Sequence, residues 1–101
     1  MPNKKNILII AKSVISTETD AIAQLQNRLS DDFPEAIQII LSSEGRLIVA
    51  GVGKSANIAN KMVATFNSTG QPSVFLHASD ALHGDLGNIQ KNDVVICISK
   101  S

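Results

Sequence analysis

Five residues, Gly51-Val52-Gly53-Lys54-Ser55, have the types and spacing of an anion site. Two glycines let a backbone turn sharply. Where such a turn opens a helix, the first free N–H groups and the helix dipole attract negative charge. Lys54 adds a cation and Ser55 a hydroxyl. The two histidines of the chain, His77 and His83, lie downstream of this turn. An imidazole beside a phosphate could serve as general acid or base, and equally each ring could be a polar group satisfied by backbone. A metal would need a third ligand, which Asp80 or Asp85 could supply, but nothing in the spacing demands one. The chemistry implied is a site for a phosphorylated small molecule with a proton-handling group nearby.

Two look-alike motifs are separable on spacing. A P-loop requires a glycine five residues before the Gly of Gly-Lys-Ser, and Ile48 stands there, which excludes that nucleotide cradle. Gly51, Gly53 and Ala56 satisfy a permissive dinucleotide fingerprint. The acidic residue expected at the end of the next strand is missing: that strand ends at Leu76-His77, with Asp80 beyond it.

The elements that must position these residues follow from hydrophobic periodicity. From about Lys4 to Leu29, the residues Leu8, Ala11, Ile15, Ile22, Leu25 and Leu29 recur at helical spacing, close to a heptad. This helix is expected to pack either on the chain's own sheet or on a second subunit. A second helix is expected from Asp32, with Asp32 as its capping side chain, Pro34 in the first turn and Gly45 as a left-handed closing residue. From Arg46 the pattern becomes short apolar runs, 47–50, 73–76 and 94–98, separated by helical stretches. Runs without polar alternation predict strands buried on both faces, hence a parallel sheet covered by helices with right-handed crossovers. The glycine turn then sits at the carboxyl end of the first strand, His77 directly follows the second, and Cys97 is a buried thiol in the third. Gly70 and Pro72 end the intervening helix, and Lys91-Asn92-Asp93 is a polar turn.

Composition narrows the function class. The 101 residues carry nine basic and nine acidic side chains, with no block of one sign able to neutralise a phosphate backbone or coat a membrane. With three Phe and no Trp or Tyr, the chain lacks platforms for stacking bases. Nucleic acid and membrane partners are not expected. The apolar run 7–11 near the start is too short for a signal peptide and lacks a cleavage site, so it reads as mature protein.

The stretch from Gly45 to Ser101 resembles the sugar isomerase (SIS) domain of arabinose-5-phosphate isomerases. The matching segments are Gly-Val-Gly-Lys-Ser, Asn-Ser-Thr-Gly-Gln-Pro-Ser-Val-Phe-Leu-His, His-Gly-Asp-Leu-Gly and the closing Ile-Ser-Lys-Ser. Lys54 in the turn together with His-Gly-Asp-Leu-Gly resembles the isomerase branch in particular. Ala56 departs from the family pattern, which usually has another glycine there. The resemblance implies an α/β fold, a three-layer doubly wound parallel sheet of flavodoxin-like order. Residues 1–44 would form amino-terminal helices, and residues 45–101 the amino-terminal portion of the SIS domain.

It further implies interconversion of D-arabinose 5-phosphate and D-ribulose 5-phosphate through an enediol, feeding 3-deoxy-D-manno-octulosonate synthesis for lipopolysaccharide or capsule in the cytoplasm. No cofactor or metal is implied. Lys54 and His83 would be catalytic; Gly51, Gly53, Lys54, Ser55, His77, Ser99 and Ser101 would hold the sugar phosphate. Homo-oligomers with sites near subunit boundaries are expected. Family features beyond Ser101, including later strands, a glutamate and a further histidine, are absent from these residues. The 101 residues alone are therefore expected to be inactive, with the third strand as an exposed edge that invites association. The alternative is a non-catalytic SIS module that senses phosphosugars, which would need the anion turn but neither Lys54 nor His83.

Overall fold

The computed structural model describes residues 1–82 and 84–99, and only the backbone of Leu82, Asp85 and Leu86. The chain divides into two units, Met1–Glu35 and Ala36–Ser101.

The first unit is built on α1, Lys4–Gln24, continued by a 3₁₀ turn, Leu25–Arg28. The Asn3 side chain caps it, accepting from the Asn6 N–H at 2.9 Å. The heptad-like stripe is α-helical from Leu8 to Ile22, passes into the 3₁₀ turn at Leu25 and ends before Leu29, which is extended. None of α1 is buried, and Leu8, Ile15 and Ile22 are each more than half exposed. Helix α2, Asp32–Ser42, starts where expected but is capped differently. The Asp32 N–H donates to the Ser30 hydroxyl at 3.4 Å, and Asp32 itself lies in the first turn, where its charge suits the helix dipole.

The second unit holds three parallel strands, β1 (Leu47–Gly51), β2 (Ser73–His77) and β3 (Val94–Ile98), in the order β2-β1-β3. This 2-1-3 arrangement opens a flavodoxin-like order. Register is even across the sheet: Leu47 pairs with Ser73 and Val94, and Gly51 with His77 and Ile98. Helix α3, Lys54–Ser68, covers one face, where Leu47 and Val49 pack on Ala59. A short helix α4, Ala78–Leu82, and a 3₁₀ turn, Asp85–Asn88, follow β2. On the other face Ile48, Ala50 and Leu76 pack against Ala81 and Ile89. Helix α3 ends in a Schellman motif, with Gly70 at φ +96° and the Gln71 N–H reaching the Phe66 carbonyl at 2.9 Å.

Four expectations are corrected. Only the central strand β1 is buried throughout; β2 is buried only at Ser73 and Leu76, and β3 alternates between half-buried and exposed residues. Val95, 42% exposed, and Cys97 face away from α3 on the thinly covered side, so Cys97 is an exposed thiol and not a buried one. Gly45 is not left-handed. It is required for close approach, since a Cβ there would run into the Asn92 carbonyl. His77 is the last residue of β2 and does not follow it.

The amino ends of the edge strands are held by side-chain clamps. The Asn67 amide accepts from the Ser73 N–H at 2.8 Å and donates to the Ser73 carbonyl at 3.0 Å. Across the sheet, the Asp93 carboxylate accepts from the Arg46 backbone N–H and guanidinium, each at 2.8 Å, and from the Gln90 N–H at 2.7 Å. The Arg46 hydrogen bond above all, then that of Gln90, holds the Asp93 carboxyl down at about 2.

Candidate functional site

Gly51 closes β1 and Lys54 opens α3, so the chain reverses within Val52 and Gly53. The reversal is tight. A Cβ on Gly51 would lie 2.8 Å from the Ser55 carbonyl carbon and oxygen and 3.0 Å from the Ala56 nitrogen. Gly53 adopts φ 60°, ψ −130°, which residues with a Cβ rarely reach, and as the N-cap it offers no side chain to the helix. No acidic residue occupies the first turn of α3. The start of this helix is thus capped by no side chain, repelled by no carboxylate, and flanked by the exposed Lys54 and half-buried Ser55.

Register brings the other candidates to the same end. His77 and Ile98 stand on either side of Gly51, each at roughly the 4.8 Å spacing of neighbouring strands, and the exposed Ser99 follows Ile98. Gly51, Gly53, Lys54, Ser55, His77 and Ser99 therefore converge at the carboxyl ends of the strands, where open α/β sheets bind ligands. His83 and Ser101 lie outside the described residues.

The half-buried His77 ring meets the Phe75 ring edge-on, with centroids 6.3 Å apart and planes at 84°. Its Nδ1 lies 2.7 Å from the Ser79 hydroxyl and accepts from the Ser79 backbone N–H at 3.3 Å. Ser79 is a contact the sequence reading passes over. The available signal was a serine two residues beyond a strand-end histidine, where hydroxyls habitually bond to nearby polar groups at a turn.

A cavity of about 340 Å³ lies elsewhere, on the sheet face opposite α3, lined by Ile48, Val74, Leu76 and Ile89 among others. Its charged lining group, Arg46, is engaged by Asp93, so it competes with the strand-end site neither in charge nor in chemistry. Among the described residues no three His, Cys, Asp or Glu side chains are grouped to hold a metal, and no helix is long and apolar enough to cross a membrane.

Residues 40–101, from the end of α2 through the strand-end site, match the SIS domain family. The chain belongs to the SIS domain family. It is 52% identical over 98 residues to a Haemophilus influenzae protein named probable arabinose 5-phosphate isomerase, covering 97% of this chain and 29% of that protein. It is 44% identical over 95 residues to the arabinose 5-phosphate isomerase GutQ of Escherichia coli K12, covering 94% of this chain and 30% of GutQ. The fold superposes on the E. coli CFT073 protein c3406, solved in complex with arabinose 5-phosphate, with a TM-score of 0.92 and 40% identity, over 99% of this chain and 53% of that one. This SIS chain thus spans under a third of its curated relatives' length and about half of the solved chain.

Proposed function

We propose that this SIS chain carries the sugar-phosphate site of an isomerase interconverting D-arabinose 5-phosphate and D-ribulose 5-phosphate. The observation that carries the reading is the uncapped, acid-free start of α3 with Lys54 and Ser55, set beside His77 and Ser99 by strand register. It is supported by the likeness to a chain solved with arabinose 5-phosphate and to relatives named for this isomerisation.

The amides of Gly53 to Ser55, with the Ser55, Ser99 and Ser101 hydroxyls, hold the phosphate. A base then removes the proton from C2 of the open-chain aldose, the electron pair moves toward the carbonyl, and an enediol forms. Returning a proton to C1 while the C2 hydroxyl releases its own, which balances the proton taken up by the former carbonyl oxygen, yields the ketose, so the reaction is redox-neutral. His83 handles the proton or opens the sugar ring, Lys54 steadies phosphate or enediolate charge, and His77 lines the pocket. Run toward the aldose, the same steps supply arabinose 5-phosphate for 3-deoxy-D-manno-octulosonate synthesis in the cytoplasm. The exposed apolar residues of α1 support a homo-oligomer.

The test follows arabinose 5-phosphate in heavy water by NMR, using the chain alone and the chain continued by the carboxyl-terminal remainder of the H. influenzae relative. Deuterium at the carbon beside the carbonyl, accompanied by ribulose 5-phosphate, is expected from the extended protein. Binding without exchange would refute the isomerase and leave a phosphosugar sensor.

A further inference from the structure

The contact between His77 and Ser79 decides which ring nitrogen of the neutral imidazole carries the proton. A backbone N–H can only donate. Because the Ser79 N–H points at Nδ1 at 3.3 Å, that nitrogen presents its lone pair, and the Ser79 hydroxyl at 2.7 Å donates to it as well. The opposite tautomer would set Nδ1–H against the Ser79 N–H. The proton of the neutral ring therefore sits on Nε2, which meets no acceptor among the described residues. Phe75 stands edge-on to the ring on its strand side.

We propose that Ser79 is a positioning residue that fixes His77 as an Nε2–H hydrogen-bond donor to an oxygen of the bound sugar phosphate. His77 is thereby an electrophilic, charge-stabilising group and not the base. The ligand half of this inference rests on the isomerase reading above; the tautomer half does not. The location favours it, since His77 stands one strand spacing from Gly51, which closes β1 three residues before α3 opens. A donor aimed at oxygen where negative charge develops acts more strongly in the transition state than in the ground state. Loosening it should lower kcat more than it raises KM.

The test uses the extended protein with ¹⁵N-labelled histidine and the variants Ser79→Ala, Ser79→Thr and His77→Gln. In the unaltered protein the His77 resonances should report a single Nε2–H tautomer, and Ser79→Ala, which removes the hydroxyl bond and keeps the backbone one, should shift Nδ1. Turnover of arabinose 5-phosphate should fall about tenfold in kcat, against about 10²–10³-fold for losing such a donor outright. Ser79→Thr, which keeps the hydroxyl, should restore both. Glutamine at 77 offers an N–H near the Nε2 position without an Nδ1 to anchor, so Ser79→Ala should add no further loss in that background. An Nδ1 signal unmoved by Ser79→Ala, or losses that multiply in the double variant while turnover is retained, would overturn this inference alone. Failure of the unaltered protein to bind arabinose 5-phosphate would overturn the isomerase reading and the sugar ligand named here, whereas the Nδ1 shift would still decide the role of Ser79.

Discussion

Gly51→Ala should disable the site while leaving most of the fold in place, because the added methyl has nowhere to go. Its Cβ would lie 2.8 Å from two backbone atoms of Ser55 and 3.0 Å from the Ala56 nitrogen. Ordinary contact begins near 3.4 Å, so the start of α3 must retreat by about 0.6 Å, and backbone cannot swing aside as a side chain can. Overpacking of this kind costs about 1–3 kcal/mol. The displaced groups are the amides, Lys54 and Ser55 that would hold the phosphate. A misplacement approaching 1 Å costs up to about 10²-fold in a positioned reaction, and a loss of about tenfold to 10²-fold in arabinose 5-phosphate affinity is expected.

Two other glycines separate this cause from a general intolerance of substitution. Gly53→Ala meets open space but keeps a positive φ, so it should destabilise by about 1–3 kcal/mol through strain alone. Gly87→Ala meets nothing within 4 Å and has no positive φ, and should stay within about 0.5 kcal/mol of the parent. Urea unfolding paired with calorimetric titration of the sugar phosphate measures both quantities for each variant. A Gly51→Ala protein that binds as tightly as Gly87→Ala would refute the steric argument for the turn.

Lys54→Ala should weaken arabinose 5-phosphate binding or turnover about 10–100-fold, the range of one charge-assisted hydrogen bond, with the urea midpoint unchanged because Lys54 is exposed; the paired titration checks both. Asp93→Asn should remove an acid-sensitive clamp. With its folded carboxyl held at about 2, Asp93 contributes stability that is fully present above its unfolded value near 4 and lost as pH falls through about 2. Urea midpoints at pH 6 and pH 3 should therefore differ less in the variant than in the parent. Asn67→Ala leaves the Ser73 N–H and carbonyl without their side-chain partner and should cost about 1–3 kcal/mol in urea unfolding. Ile15→Asp, on the exposed stripe of α1, should lower the assembly mass seen by light scattering if that stripe joins subunits.

Most signals with a local cause were legible in the sequence, the Ser30 cap of α2 and the Ser79 contact of His77 excepted. The three apolar runs became the three strands, the glycine pair became the strand-to-helix turn, and Gly70 closed α3 through the left-handed residue such an end requires. Most of what misled were features whose partner lies far along the chain. Gly45 reads as a helix terminator until Asn92, 47 residues on, is seen against it. Cys97 reads as core because its run is uniformly apolar, yet period-2 geometry turns it to the face that α3 does not cover. Nothing in the residue types of Arg46 and Asp93 announces that they pair across the sheet.

Those distant contacts explain how the site is assembled. Its residues sit on separate segments, and register alone brings them together: a one-residue slip of β2 against β1 would set Leu76 beside Gly51 and send His77 to the opposite face. The slip is resisted at the other end of the strands. The Asn67 amide grips both backbone groups of Ser73, and the Asp93 carboxylate grips the Arg46 backbone and side chain. Each clamp fixes the amino end of one edge strand, and pairing then delivers His77 and Ser99 to the glycine turn four residues along β1. Polar side chains remote from the glycine turn thus determine whether the candidate site's end of the sheet is assembled, which is why the strand-to-helix turn could be read from its own five residues while its surroundings could not.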